Sequence, residues 1–153
     1  MTRQFFVLAL VLITCSAQAD FRGEVVGVTD GDTVTVLRGR EQVKVRLAEI
    51  DAPERKQPFG QRSRQSLAEM VFRQDVLVIE QGKDRYGRSV GRLQLGSLDA
   101  NAEQVRRGMA WVFDRYVKDR SLYDLQNEAR QAKRGLWADP APVEPWEWRR
   151  SRR

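Results

Sequence analysis

The sequence predicts an α+β fold in which a five-stranded antiparallel β-barrel carries three packed α-helices. The chain has 153 residues, enough for one domain with a sizeable core but not for two. Three strand-like segments precede the first helix-like segment, and two more strands precede the remaining helices. This order does not fit the alternating strands and helices of a parallel sheet, whereas it fits a small barrel with helices on its surface.

The first three strands are predicted to form a meander. Segments 21–28 and 33–39 flank Thr29-Asp30-Gly31-Asp32, a tight-turn sequence, so they are expected to pair as a hairpin. Segment 41–50 follows a second turn that contains glycine and supplies the third strand.

The next elements define the type of barrel. Apolar residues three and four positions apart predict the first helix over about residues 61–72. Segments 75–82 and 86–96 are predicted as the fourth and fifth strands. A helix between strands three and four is typical of the five-stranded OB-fold.

The remaining helices occupy the last third of the chain. A short helix fits residues 101–107, and the third helix begins at Ser121, which forms a capping-box pattern with Asp124. Gly135 follows the helical pattern and is expected to end it.

The composition changes after this helix. We interpret residues 20–138 as the OB-fold domain and residues 139–153 as a tail rich in proline, tryptophan and arginine. The tail is expected to be extended, to pack Trp146 or Trp148 on the domain, and to leave its arginines solvated. Nucleic-acid binding by those arginines and tryptophans is the alternative.

Residues 1–19 are predicted to be a secretory signal peptide. Arg3 provides the basic start, residues 5–13 are apolar, and Ala17-Gln18-Ala19 provides a small-residue cleavage site. The apolar run is shorter than the roughly 20 residues that a membrane span needs. We therefore expect a secreted or periplasmic protein without stable membrane association, with a membrane anchor or lipidation at Cys15 as alternatives.

The residue inventory excludes several kinds of chemistry. The chain has no histidine, and Cys15, its one cysteine, lies in the predicted signal peptide. A Cys/His zinc site, a cysteine nucleophile and a Ser-His-Asp triad are therefore not available to the mature chain. The net charge of +6 favours a polyanionic partner such as nucleic acid, although generic solubility explains it too.

The segment Val45-Glu54 gathers one arginine and three carboxylates. Apolar residues occupy odd positions up to Leu47 and even positions afterwards, so the alternation slips by one residue. A bulge or bend there would keep one face in the core and bring Arg46 and Asp51 to the same face. Glu49 is left over and is expected to be a solvated carboxylate.

Two turns carry carboxylates, Asp30-Gly31-Asp32 and Asp51-Ala52-Pro53-Glu54. Each has a purely local explanation, since aspartate is common in turns. If the turns of neighbouring strands converge, their hard oxygen ligands suit Ca²⁺ better than a softer metal. The segment 84–88 adds two arginines, a residue type suited to bidentate contact with phosphate.

Four blocks in this order resemble the staphylococcal nuclease (thermonuclease) family. They are VTDGDTVTV, VRLAEIDAPE, DRYGRSVGRL and NAEQVRRGMAWV, and the resemblance covers roughly residues 21–138. The resemblance implies an OB barrel with three helices, in agreement with the element order. It also implies a Ca²⁺ site in which Asp32 and Asp51 supply carboxylates and Ala52 supplies a backbone carbonyl.

The same resemblance implies roles for further residues. Arg46 and Arg88 match phosphate-binding arginines that act in catalysis, and Glu54 matches the proposed general base. Tyr86 and Tyr116 lie where aromatic rings pack on the substrate, with Asp114 at a nearby position where the family has tyrosine. Arg85 is assigned to substrate binding with them.

The implied function is an exported, Ca²⁺-dependent endonuclease that hydrolyses DNA and RNA to 3′-phosphate and 5′-hydroxyl ends, working as a monomer. The alternative is a non-catalytic OB-fold module that binds nucleic acid. Retention of the whole residue set favours catalysis, because a binding module would not need it. An oligosaccharide-binding OB domain explains the basic charge poorly.

Overall fold

The computed structural model describes residues 19–152, so the predicted signal peptide lies outside the described residues except for Ala19. The strands of the barrel are β1 (Phe21–Asp30), β2 (Thr33–Arg38), β3 (Glu41–Leu47), β5 (Asp75–Lys83) and β6 (Ser89–Leu95). Short strands are β4 (Ile50–Asp51), β7 (Leu98–Asp99) and β8 (Trp111–Val112). The helices are α1 (Gly60–Val71), α2 (Ala100–Arg106), α3 (Ser121–Gln131) and α4 (Pro145–Arg150), with a 3₁₀ turn at Gly135–Ala138.

The five long strands close into a barrel. Antiparallel pairing runs in the order β3-β2-β1-β5-β6, and a parallel pairing of β3 with β6 joins the two ends. In that pairing Val45 lies opposite Ser89 and Leu47 lies opposite Gly91. The predicted α+β class and OB barrel are therefore confirmed, and the helices sit on its surface.

The core fills the barrel and the space beneath the helices. Apolar residues from every long strand are fully buried, among them Val25, Val34, Val45, Val78 and Leu93. Leu67 of α1 and Leu122 of α3 belong to the same buried cluster. Their burial fixes the helices against the barrel, and so fixes the turns between them.

The main departures from prediction lie near helix ends and in the tail. Ser121 is the first residue of α3 rather than its cap, and the Asp119 side chain accepts its N–H and hydroxyl hydrogen bonds. The tail is not extended throughout, because residues 145–150 form a fourth helix that Pro145 begins. No helix within residues 19–152 is long and apolar enough to cross a membrane.

The predicted slip in alternation is a sharp break in the third strand. β3 ends at Leu47, and Glu49 adopts a left-handed conformation with a φ of 69°. The chain then leaves the barrel, and Ile50 and Asp51 pair with the short strand β8. This turn redirects the segment that carries the second group of carboxylates.

Candidate active site

Asp32 lies at the end of the β1–β2 turn and is almost fully buried. Its Oδ2 accepts a hydrogen bond from the Ala52 backbone N–H at 2.7 Å, and its Oδ1 accepts one from the Thr33 hydroxyl at 3.1 Å. The first bond joins the two carboxylate-bearing turns directly. The convergence that the sequence suggested is therefore present.

The turn before Asp32 is packed tightly against helices α1 and α2. The Gln104 amide donates to the Gly31 carbonyl at 2.7 Å and to the Ser63 carbonyl at 3.1 Å. A Cβ atom at Gly31 would lie 1.8 Å from the Ser63 hydroxyl and 2.8 Å from Ala52 Cβ. Glycine is needed here for space, and the close packing around it fixes the position of Asp32.

Asp30 is a second carboxylate of this turn. Its Oδ1 accepts the Asp32 backbone N–H at 3.2 Å. Burial, reinforced by the charge of Asp32, raises the pKa of Asp30 to about 7. Two neighbouring carboxylates in a poorly hydrated turn thus create a demand for positive charge.

Arg46 supplies part of this positive charge. Its Nη2 lies 3.1 Å from Asp51 Oδ1 and 3.3 Å from Asp32 Oδ2, so one nitrogen contacts both carboxylates. Its Nη1 donates to the Leu47 carbonyl at 2.6 Å, which orients the guanidinium. The prediction that Arg46 and Asp51 share a face is confirmed.

Glu54 lies at the end of the second turn and is half-buried. The side chain of Gln57 accepts the Glu54 backbone N–H at 3.0 Å and donates to the Val143 carbonyl at 2.6 Å. Gln57 therefore ties the Glu54 turn to the C-terminal segment. Nothing in the local sequence around Gln57 signals this contact.

Arg149, a residue the sequence prediction missed, enters the same site from α4. Its Nη2 lies 2.7 Å from Asp51 Oδ2, and its Nη1 lies 2.7 Å from Glu54 Oε1 and 3.3 Å from Asp51 Oδ1. The expectation that all tail arginines are solvated is therefore wrong for Arg149. The tail docking itself was expected, and Trp146 stacks on Phe113 with ring centroids 5.4 Å apart.

The two partners of this ion pair have shifted pKa values. Burial raises the pKa of Asp51, although the hydrogen bond from Arg149 and the charge of Arg46 oppose the shift. Burial alone would lower the pKa of Arg149, but hydrogen bonds from its guanidinium to Asp51 and Glu54 raise it above its ordinary value. The shift of the Asp51 pKa therefore reflects removal from water, whereas the shift of the Arg149 pKa reflects the two carboxylates that it contacts.

Arg88 lies at the edge of this cluster and reaches Asp32 through Thr33. Its Nη1 lies 3.4 Å from the Thr33 hydroxyl oxygen, and that hydroxyl donates to Asp32. Its Nε donates to Asp84 Oδ2 at 2.7 Å. The parallel pairing of β3 with β6 is what brings this arginine beside the turn of Asp32.

The predicted substrate-binding residues lie on the surface around the cluster. Tyr86 is 70% exposed, and the Arg88 guanidinium lies 5.7 Å from its ring centroid. Arg85 turns toward Tyr86 instead of the carboxylates, donating to its hydroxyl at 2.7 Å. Tyr116 is 55% exposed and packs edge-on against Phe113, on the side where α4 docks. Their role in substrate binding stays a prediction.

Glu49 is not the solvated carboxylate that the sequence suggested. It is 5% exposed, and its Oε1 accepts the backbone N–H groups of Lys118 and Asp119, both at 2.7 Å. Its Oε2 lies 3.1 Å from Arg92 Nη1. Glu49 therefore anchors the loop before α3 to the turn that leads to Asp51.

The donor set near Asp32 fits a hard cation with few protein ligands. Within residues 19–152 no group of three or more His, Cys, Asp or Glu side chains forms a metal-ligand cluster. Asp32 and Asp51 supply two buried carboxylates, and Ala52, buried beside them, is the predicted carbonyl donor. Such a set would leave several positions to water, as hard cations allow. Two guanidiniums already converge on these oxygens, so positive charge is favoured there.

Comparison with known proteins agrees with this fold. The staphylococcal nuclease homologue family matches residues 44–139, and the chain belongs to that family. A micrococcal nuclease of Shigella flexneri is 46% identical over 153 residues, which cover 93% of this chain and 88% of that protein. Protein ParB of Escherichia coli is 47% identical over 161 residues, covering 98% and 91%.

A third relative carries a broader name. An uncharacterized endonuclease of Escherichia coli O157:H7 is 47% identical over 132 residues, covering 86% of each chain. Family membership and these relatives support a nuclease function and a nucleic-acid substrate.

Proposed function

We propose that this protein is an exported, Ca²⁺-dependent endonuclease that hydrolyses DNA and RNA and leaves 3′-phosphate and 5′-hydroxyl ends. The observation that carries the proposal is the contact of one Arg46 nitrogen with both Asp32 and Asp51. It gathers two buried carboxylates and a phosphate-binding group at one point of the barrel. Glu54 joins the same cluster through Arg149.

The arginines serve to bind and neutralise the scissile phosphate. Hydrolysis adds charge at phosphorus as water attacks and the P–O5′ bond breaks, so guanidiniums near the phosphate oxygens lower the barrier. Arg46 and Arg88 are the two groups for this task, the first in contact with Asp32 and the second with Thr33. Each is partly buried and held by a carboxylate, which limits the freedom lost when substrate binds.

Glu54 serves as the general base. It is half-buried at the rim of the cluster, so its carboxylate can reach both solvent and a bound phosphate. It would accept the proton of the attacking water, in a chain that has no histidine to do so. The leaving 5′-oxygen takes its proton from solvent.

Asp32, Asp51 and the Ala52 carbonyl would hold Ca²⁺. When bound, the ion would offset the phosphate charge and polarise its oxygens. Nucleases of this family are generally metal-dependent, which supports the assignment of these carboxylates as ligands. The choice of calcium is supported by the hard, all-oxygen donor set.

Export is proposed from the predicted signal peptide. Cleavage after Ala19 would leave the barrel intact, because β1 begins at Phe21 and Asp20 accepts the Glu80 backbone N–H at 3.1 Å. Sequencing the N-terminus of protein recovered from the periplasm or the medium tests this step. A mature protein that starts at Met1 would contradict it.

The function is tested by digestion of circular single-stranded DNA with calcium and with the chelator EGTA. We expect linear and shorter products with calcium and no cleavage with EGTA, since a circle can be opened only by an endonuclease. Polynucleotide kinase should label the products without prior phosphatase treatment, because their 5′ ends would be hydroxyls. Cleavage that EGTA leaves unchanged would refute the metal requirement, and ends that need phosphatase first would refute the bond assignment.

A further inference from the structure

Arg149 occupies the position where the active site needs positive charge. Its two terminal nitrogens contact both oxygens of Asp51 and one oxygen of Glu54. Asp51 is the more buried partner, with its side chain 2% exposed, whereas the Arg149 side chain is 39% exposed. The arginine therefore reaches inward from the surface to a fixed, buried carboxylate.

The contact engages two groups that catalysis would need free. A carboxylate oxygen that accepts a short hydrogen bond from a guanidinium has less capacity to ligate a cation. The Glu54 oxygen bonded to Arg149 is likewise less available to take a proton from water. Arg46 remains beside Asp32 and Asp51, so it continues to balance part of their charge when Arg149 leaves.

The segment that carries Arg149 is docked by a small number of contacts. Trp146 stacks on Phe113 and lies edge-on to Trp111 at a centroid distance of 6.0 Å. The Gln57 side chain holds the Val143 carbonyl, while Val143 itself is exposed. A helix of six residues has little stability of its own, so its position depends on these contacts and on Arg149.

We propose that Arg149 closes the metal-free active site and must be displaced from Asp51 and Glu54 when the divalent cation binds. The proposal rests on the proposed function, in that it takes Asp32 and Asp51 as the cation ligands. Displacement of Arg149 by a cation exchanges one positive charge for two at the carboxylates. The docked C-terminal segment then sets the cation concentration at which the enzyme becomes active.

The test is calcium binding to the purified protein, measured by isothermal titration calorimetry. Arg149→Gln keeps the size and polarity of the side chain but removes its charge, so calcium no longer competes with an ion pair. We expect its dissociation constant for calcium to fall about tenfold, the effect of losing a partly exposed charge contact of modest strength. Arg150→Gln is the matched control, because Arg150 lies on the same helix and pairs with Glu147 instead. Its calcium affinity should stay within about twofold of the unmodified protein.

A second variant tests docking without touching the charge. Trp146→Ala removes the stacking on Phe113 and keeps Arg149, so it weakens the hold of the segment on the site. We expect its calcium affinity to rise as well, by less than in Arg149→Gln because the ion pair can still form. Circular dichroism checks that each variant keeps its fold.

The outcomes separate this proposal from the proposed function. Equal or weaker calcium affinity in Arg149→Gln, with calcium-dependent DNA cleavage intact, would overturn the role of Arg149 and leave the nuclease function standing. Tighter calcium binding in Arg149→Gln without DNA cleavage by any form would support the role and refute the function. No calcium binding by any form would overturn both. If Arg149→Gln does not fold, unchanged calcium affinity in Trp146→Ala overturns the proposal.

Discussion

The carboxylate of Asp84 holds Nε of Arg88 at 2.7 Å through Oδ2 while its Oδ1 accepts the backbone N–H groups of Tyr86 and Arg88. One side chain thus shapes the turn between β5 and β6 and orients the arginine that follows it. Gly87, with a φ of 80°, completes the turn by donating its N–H to the Asp84 carbonyl at 3.0 Å.

Asp84→Asn is expected to lower nuclease activity by about tenfold, because the amide cannot hold the guanidinium by charge and Arg88 loses its fixed direction. Initial rates of DNA cleavage measure the effect. Since Asp84 acts on catalysis through Arg88, adding Asp84→Asn to Arg88→Ala should lower the cleavage rate no further. A further loss in the double variant would contradict the positioning role.

The same substitution should change stability in a pH-dependent way. Burial tends to raise the pKa of Asp84, but hydrogen bonds from Arg88 and the turn N–H groups outweigh it and hold the pKa below its ordinary value of 3.8. The stability that the Asp84 carboxylate gives to the folded protein is therefore fully present above pH 3.8. It is lost as the pH falls through the lower pKa of the folded state. We expect the free energy of unfolding, measured in urea at pH 7, to be about 1 kcal/mol higher for the unmodified protein than for Asp84→Asn. This difference should be smaller at lower pH. A gap that stays constant down to pH 3 would rule this out.

Arg88→Ala and Arg85→Ala form a matched pair in one turn. Arg88 lies beside Thr33 at the carboxylate cluster, whereas Arg85 donates to the hydroxyl of the exposed Tyr86. We expect Arg88→Ala to lower the turnover number by about 10²–10³-fold, the cost of losing one charge-stabilising donor. Arg85→Ala should act mainly on KM, as loss of a peripheral phosphate contact would. Equal effects on the turnover number would contradict the different roles assigned to the two arginines.

Glu54→Gln tests the general base. The amide keeps the shape of the side chain but accepts no proton, so the turnover number should fall by about 10²–10⁴-fold. Calcium binding should persist, because Asp32 and Asp51 are unchanged. The matched control is Glu147→Gln, an exposed glutamate on α4, which should cleave DNA normally. Full activity in Glu54→Gln would remove Glu54 from the mechanism.

Glu49→Ala is expected to be severely destabilising. It leaves Arg92 without its buried carboxylate partner and two backbone N–H groups without an acceptor, so the cost should be about 3–5 kcal/mol. Glu41→Ala removes an exposed pair with Arg38 and should cost far less, because solvent screens that pair. Chemical denaturation of the two variants measures the difference. Similar stabilities would mean that the Glu49 network contributes little.

Gly31→Ala should damage both stability and activity. The added methyl would overlap the Ser63 hydroxyl and Ala52, so the turn that carries Asp32 must move, at a cost of about 1–3 kcal/mol. Gly27→Ala is the control in β1, the strand that leads into this turn, because its Cβ would meet Thr35 at an ordinary 3.5 Å. Calcium affinity reports on the displacement of Asp32, and thermal unfolding reports on the loss of stability. Tolerance of alanine at Gly31 would show that the turn is not held as tightly as the contacts indicate.

Local patterns predicted which residues come together at the centre of the candidate site. The slip in alternation after Leu47 was enough to place Arg46 and Asp51 together, because the period of a strand fixes which face each residue takes. The helix of residues 60–71 was likewise evident from its apolar spacing.

Contacts between distant segments were not predictable in the same way. Glu49 looked solvated because its partners, Arg92 and the loop before α3, come from other parts of the chain. Arg149 lies 98 positions from Asp51, and only the fold brings them together. A signal did exist in the tail: Pro145 can begin a helix, and Trp146 and Arg149 are then three residues apart on one face.

The parallel pairing of β3 with β6 also decides when this chain can become a nuclease. Closing the barrel joins strands that are separated along the chain by β4, α1 and β5, so it carries a loop-closure entropy that short hairpins avoid. Until that closure Arg88 has no fixed place beside Asp32. Catalytic competence would then arise late in folding, only after the barrel has closed.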